Sequence, residues 1–408
     1  MNERKKNGNG SYYTPTIPQA SMAKPDAIRK AALKLVDDLA SSFVEREEIV
    51  RGMLLGIVSG YNVFIWGPPG TGKSLLARNF ALAINGAKYF ETQMHGGKTP
   101  EALFGPSDPE AHLQDAEIRY NIRGMLPDSN IAMIDEPFRA NNVVLDSLLP
   151  LFNERHFQNG PDLIQTPLRF VVSGSNSVPD DQDLEAIWDR FVLRFVGGNV
   201  KDRRGFFKYA CARQGKSPKP PKTILTIEDF VRANEEAAKV KVTSVSEDAI
   251  TACDEKLMEK GFLLSERTWM QAINVMKANA WIEGRDEVTE EDLVVLAHIA
   301  WDDPKDAKVV EKLVNGIANP LNERALKFLD TAETITRDVE TRKDGETDST
   351  YAVRIADGAT KLKSILQRLR GIIGESPASR TTKLREIDAK IAVMQKRIKE
   401  KAGDLLGI

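Results

Sequence analysis
The sequence predicts an α/β protein: a parallel sheet covered by helices, followed by a long region that is helical throughout. Three observations predict it. Short apolar runs at 62–66, 131–134 and 170–172 each end in glycine, an acidic pair or small polar residues. Helical stretches separate these runs, and alternation of strand and helix is the pattern of a parallel sheet buried on both faces. Beyond about residue 225 the apolar spacing becomes almost wholly helical.

Taken in order, residues 25–60 read as helical, with Ile28, Ala32, Leu35 and Val36 recurring at helix spacing. The run 62–66 leads into glycine and proline, a buried strand feeding a loop. Gly215-Lys216-Ser217-Pro218-Lys219-Pro220-Pro221 reads as a linker, and Thr289-Glu290-Glu291-Asp292 as the capped start of a helix. A polar break at 341–350 interrupts the last helical region. In the final helix Leu384, Ile387, Ile391, Met394 and Ile398 alternate spacings of three and four. That seam is expected to pack on a helix bearing Leu362, Ile365, Leu366, Leu369 and Ile373.

Composition bounds the possibilities. The chain has 408 residues, 41% hydrophobic and 28% charged, with a net charge of −2, so nothing global draws it to nucleic acid or an anionic membrane. No stable nucleic-acid partner is expected. No apolar run is long enough to span a bilayer, and residues 1–24 lack an apolar signal core and read as a flexible polar tail. Cys211 and Cys253 stand far apart, and His95, His112, His156 and His298 form no ligand pair. A cytoplasmic protein follows, with no metal except an ion brought in by a substrate. Between 357 and 401 there are 12 Lys or Arg against 5 Asp or Glu; this is a solvated helix face or a contact for an acidic partner, lipid or nucleic acid.

The chemistry concentrates in Gly67-Pro68-Pro69-Gly70-Thr71-Gly72-Lys73-Ser74, a full G-x-x-x-x-G-K-[ST] match between a buried strand and the helical run 75–84. Glycines let the backbone turn several N–H groups toward one phosphate, and the helix start adds its positive end. Lys73 is placed to bridge the β- and γ-phosphates of ATP, and Ser74 to ligate Mg²⁺. The second motif, Ile131-Ala132-Met133-Ile134-Asp135-Glu136, is an apolar strand ending in an acidic pair. Asp135 suits the Mg²⁺ shell and Glu136 the polarisation of an attacking water. The bland alternatives are a chance glycine-rich turn and a solvated acidic turn.

With Leu103-Phe104-Gly105-Pro106, Asn153-Glu154-Arg155-His156-Phe157-Gln158-Asn159-Gly160, Ser173-Gly174-Ser175-Asn176 and Ser265-Glu266-Arg267-Thr268-Trp269, the stretch 25–300 resembles AAA+ proteins of the MoxR family, most closely the RavA-like branch. The resemblance makes the two motifs Walker A and Walker B. It implies a five-stranded parallel sheet in the order 5-1-4-3-2, with a flexible tail at 1–24, a nucleotide-binding core at 25–200, a helical lid at 201–303 and a helical bundle at 304–408. It implies that Asn176 is the sensor-1 residue and Arg190 the arginine finger, with Arg194 as substitute. Arg267 is implied to be the sensor-2 arginine, reaching phosphates held between core and lid. Two β-hairpin insertions are expected, at 104–127 and at 156–169 with its turn at Asn159-Gly160. A RavA-type β-domain is not expected, because the break at 341–350 is too short. The function implied is a ring ATPase, a hexamer, remodelling a client with a von Willebrand factor A (vWA) domain protein. Two rivals stay open: a nucleotide-dependent scaffold with little hydrolysis, and a DNA-translocating motor.

Overall fold
A computed structural model describes residues 13–115, 117–179, 182–213, 225–318, 320–342, 345–375 and 382–406; residues 1–12 of the expected tail and the linker-like stretch 215–221 lie outside them. Its main sheet has five strands: β1 (Val63–Trp66), β2 (Tyr89–Gln93), β3 (Ile131–Asp135), β4 (Phe170–Ser175) and β5 (Leu193–Val196). All neighbours are parallel, in the order β2-β3-β4-β1-β5, which from the other edge is the expected 5-1-4-3-2. β4 is buried at every position, as befits a strand covered on both faces.

The covering helices are α1 (Pro25–Ala40), α2 (Glu47–Ser59), α3 (Lys73–Leu82), α4 (Asn142–Asn153) and α5 (Gln182–Trp188). Ile28, Ala32, Leu35 and Val36 form the buried stripe of α1, as their spacing predicts. α2 lies unusually close to the sheet: a Cβ on Gly52 would stand 2.0 Å from the Phe195 ring. On β1, Phe64 meets Trp188 edge-on at 5.0 Å and Phe191 at 5.7 Å. These contacts seat α5 and the loop after it against the sheet.

The two expected insertions differ. His156–Asn159 and Asp162–Gln165 form an antiparallel hairpin, but Asn159 pairs with Asp162. The turn is therefore Gly160-Pro161, one residue later than expected, with Gly160 at φ 62°. The stretch 104–127 is not a hairpin among the described residues. A helix, Pro109–Asp115, stands inside it, and the ladder between the flanks is reduced to the Ser107–Tyr120 bridge. Asp108 caps that helix through Glu110 N (2.9 Å), a turn signal that overrides the alternation at 118–122. The Asn159 amide clamps Tyr120 N (2.7 Å) and O (3.1 Å), so the two insertions are tied together.

Residues 13–24 are likewise more ordered than a polar composition suggests. They run extended, with Tyr13 Oη donating to Asp128 (2.7 Å) and Ser21 N to Glu228 O (3.0 Å). Both acceptors are remote in sequence, so the read-out of a solvated tail from local composition misses them.

The helical region comprises α6 (Arg203–Arg213), α7 (Ile227–Ala238), α8 (Ser244–Glu259), α9 (Glu266–Ile282) and the 3₁₀ segment Glu290–His298. Capping boxes at Thr226 and Thr243 start α7 and α8. The expected box at Thr289 is present, although the segment it opens is 3₁₀ rather than α. There the buried Asp292 is held by Arg285 at 2.5 and 2.7 Å and by Asn279 at 2.7 Å.

Contacts divide the chain into residues 1–312 and 313–408, with α10 (Ala307–Ala318) crossing the division. The second unit contains α11 (Pro320–Glu340), α12 (Asp348–Glu375) and α13 (Thr382–Leu406). Leu384, Ile387, Ile391 and Ile398 pack on Leu362, Ile365, Leu366 and Leu369 as the seam predicts, and Ala325, Ala332 and Val339 add a third helix to that core. Part of the basic excess is paired within the unit, Arg370 with Asp388 at 2.8 Å and Arg397 with Glu340 at 3.0 Å. Among the described residues no helix is long and apolar enough to cross a membrane.

The close seat of α2 makes a direct prediction. Gly52→Ala places a methyl inside the Phe195 ring and is expected to cost about 1–3 kcal/mol, read as a lowered midpoint in denaturant unfolding.

Candidate nucleotide-binding site
In a parallel sheet every strand delivers its last residue to the same edge. That edge collects Gly67 to Ser74 after β1, Asp135 and Glu136 at the end of β3, and Asn176 after β4. Gly70 and Gly72 take φ of 80° and 82°, a backbone region open to glycine but strained for residues with a Cβ. A Cβ at either would meet nothing within 4 Å, so the concave side of the loop is open. Gly72 starts α3 in a left-handed conformation with no side chain over the first amides, leaving them free for an anion.

Lys73 reaches back along this loop. Its Nζ donates to Gly67 O (2.7 Å) and Pro68 O (3.2 Å). A Cβ on Gly174 would meet Lys73 Cε at 2.9 Å and Asp135 Oδ1 at 3.3 Å, so lysine, carboxylate and the bare backbone of β4 converge. Partial burial pushes the lysine down, and the Asp135 and Glu136 charges oppose that. Burial pushes Asp135 up, while the Lys73 ammonium holds it down. Glu136 sits at φ 53°, its N–H bonded to Gly174 O (2.7 Å) and its carboxylate receiving Ser175 Oγ (2.8 Å). A non-glycine residue in that region is strained by roughly 1–2 kcal/mol, and here the strain aims a carboxylate across the strand ends. Asn176 is exposed one residue further on.

Composition and motifs miss Arg46. Its Nη2 donates to Gly198 O (2.8 Å), and with Ile49, Ile65, Leu76 and Gly197 it walls a narrow cleft beside Thr71, Gly72 and Lys73. The contact spans 152 residues, and no local pattern announces it.

Arg190 and Arg267 are placed elsewhere. Asn62, just before β1, donates through Nδ2 to Phe152 O (3.2 Å) and Arg190 O (3.0 Å). Arg267 Nη2 donates to Asn153 Oδ1 (3.1 Å), next to Phe152. Both arginines therefore belong to the start of β1, while the phosphate loop follows its end, some five residues or roughly 16 Å away at strand spacing. Arg267 is thus held at the opposite end of the strands from its own phosphate loop. The two arginines are near neighbours: Arg190 is pushed down by burial and by the Arg267 charge. Arg190 Nε is buried without a hydrogen-bond partner among the described residues.

Arg194 is occupied. It lies in β5 rather than on a helical turn, and it is buried. It donates to Phe191 O (3.1 Å), Trp301 O (2.7 Å) and Asp302 Oδ1 (2.7 Å), with its guanidinium 4.4 Å from the centre of the Trp188 ring.

This sheet order, with a glycine-rich phosphate loop after β1 and an acidic pair after β3, is the arrangement of the AAA+ class. Comparison with known proteins agrees. Residues 30–206 match the family described as the MoxR domain in the MoxR-vWA-beta-propeller ternary systems, and residues 246–314 match the AAA lid domain. The chain is similar to two uncharacterised proteins of Methanocaldococcus jannaschii. One is 31% identical over 75% of this chain and 81% of the relative, the other 33% over 74% and 77%. It is also 25% identical to the Mycobacterium tuberculosis chaperone MoxR1, over 70% of this chain and 81% of that one. A crystal structure of a candidate ATPase from Cytophaga hutchinsonii shares the fold, with a TM-score of 0.57 and 18% identity over 72% of this chain and 94% of that one. The chain belongs to the MoxR family of AAA+ ATPases.

The different placements of Arg194 and Arg190 separate in stability measurements. Arg194→Ala strands several buried carbonyls at about 1–3 kcal/mol each and is expected to lower the unfolding midpoint sharply. Arg190→Ala leaves the midpoint near wild type.

Proposed function
We propose that this chain is an ATP-hydrolysing ring motor whose active sites are completed by a neighbouring copy. The observation that carries this reading is the arginine pair. Burial and the Arg267 charge push Arg190 down against the opposing charges of Asp189 and Glu154; neither arginine has an ion pair among the described residues, and both lie a strand's length from their own phosphate loop. Adjacent guanidinium groups repel each other and favour an external anion. A neighbour's triphosphate supplies one, and charge developing there in the transition state would be met by Arg190 as arginine finger, with Arg267 beside it.

Within one copy, Lys73 would exchange its bonds to the Gly67 and Pro68 carbonyls for phosphate oxygens, and the free amides at the start of α3 would take others. The wall of Arg46, Ile49, Ile65 and Leu76 beside the loop would face the base once nucleotide opens the narrow cleft there. Ser74 and Asp135 would hold Mg²⁺, which neutralises phosphate charge when bound. Asp135 serves as its carboxylate, the state that Lys73 favours. Glu136 would leave Ser175 to polarise the attacking water, and Asn176 would orient that water.

The arrangement requires a head-to-tail neighbour, and a hexameric ring is the form proposed. The client-remodelling role, with a vWA domain protein as partner, is supported by the description of the matched family and by the chaperone relative. The narrower RavA-like placement rests on the local motifs in combination, although Thr268 stands where that branch often has a second arginine.

The test is ATPase rate per subunit against protein concentration, with particle mass measured in parallel. Wild type is expected to rise cooperatively. Glu136→Gln, Arg190→Ala and Arg267→Ala are expected to fall by at least about 10²-fold, since a finger arginine is worth 10³–10⁵. Mixing Lys73→Ala with Arg190→Ala should restore activity, because a mixed ring contains intact interfaces. A rate independent of concentration, or no recovery on mixing, would sink the trans reading. Tight ATP binding without turnover favours the scaffold, and stimulation by DNA that weakens with salt favours the translocating motor. A finer prediction concerns Ser175: removing its hydroxyl frees Glu136, so Ser175→Ala is expected to raise the basal rate up to about tenfold, equivalent to one roughly 1.4 kcal/mol bond.

A further inference from the structure
A second group of arginines lies in neither the nucleotide site nor the finger pair. Between the sheet and α7 is a cavity of about 200 Å³, lined by Arg155 and Arg169 among Leu168, Phe230, Val231 and Asn234. Arg155 donates through Nη2 to Gly60 O (3.1 Å) and Asn62 Oδ1 (3.0 Å). Its Nη1 is buried with no hydrogen-bond partner among the described residues.

The residue is held in place with care. It takes φ 60°, a strained region for a side chain. Thr166 fixes its carbonyl through N (2.7 Å) and Oγ1 (2.9 Å). Burial and the Arg169 charge together push Arg155 down to about 10, still charged at neutral pH. Arg169 is pushed down by burial and drawn up by Glu235, yet no carboxylate stands within ion-pair distance of either arginine among the described residues. Two half-buried cations facing one space, one with an unmet donor, form an incomplete site.

We propose that this cavity binds a small phosphate-class oxyanion. A tetrahedral phosphate accepts from two guanidinium forks at once, and two neighbouring cations favour its dianion. The space exceeds the roughly 30 Å³ share of one water several-fold. Occupancy also touches the finger: Arg155 bonds the Asn62 amide whose other end holds the Arg190 carbonyl.

The test is equilibrium binding of inorganic phosphate to the ADP-saturated full chain, read without hydrolysis and so independent of the motor reading. Wild type and Lys73→Ala, which disables the phosphate loop, are both expected to show one saturable site per subunit. Arg169→Gln should weaken it at least tenfold, and Arg169→Lys should recover part of the loss. Glycerol phosphate in parallel separates free phosphate from the end of a larger ligand. If Arg169→Gln fails to fold, Glu235→Gln decides, since removing the competing carboxylate should tighten phosphate several-fold. Loss of the site in Lys73→Ala, persistence in Arg169→Gln, no change in Glu235→Gln, or equal binding of acetate would each overturn the assignment.

Discussion
A parallel sheet has two unlike edges, and the distance between them governs everything else in this molecule. Every strand carries its chain from one edge to the other, so loops after the strands gather on one side and loops before them on the other. Gly67 to Ser74, Asp135, Glu136 and Asn176 fall on the first side. Phe152, Asn153, Arg190 and Arg267 fall around Asn62, on the second. The separation is set by the length of β1 and no side chain spans it. The phosphate loop and the two arginines are thus built into a single chain a strand's length apart.

How much of this was legible in the sequence follows from range. The phosphate loop and the acidic pair are readable because each is a run of adjacent residues whose geometry is local: strand, glycine turn, helix start. The seam of Leu384, Ile387, Ile391 and Ile398 is readable because periodicity is local too. Sheet order came through family resemblance, since nothing in the spacing of apolar runs orders five strands. Most of what was missed involves long-range contacts. Tyr13 looks solvated until it finds Asp128. Arg46 is unremarked until Gly198 arrives beside it. Arg267 is placed by Asn153, 114 residues away, and a motif at the start of a helix does not say which edge that helix will meet. The first insertion is a different failure: alternation at 118–122 competes with the Asp108 cap and Pro109, and the cap prevails.

Asn62 deserves its buried position. Its amide nitrogen serves the carbonyls of Phe152 and Arg190, and its oxygen accepts from Arg155 and from Val171 N (3.2 Å). One side chain, just ahead of β1, thereby ties together the end of α4, the loop carrying Arg190, the hairpin root and β4. A buried amide with its hydrogen-bonding capacity in use is costly to replace, and here it sets the register of every group on that edge.

The clamp around Arg194 has a mechanical meaning. With Trp188 Nε1 also donating to Asp302 Oδ1 (2.7 Å), the segment after the 3₁₀ helix is riveted to β5 and to the end of α5 at several points. A joint crossed by so many bonds does not swing as a hinge. A displacement of β5 is therefore passed to the segment after the 3₁₀ helix as through a rigid lever.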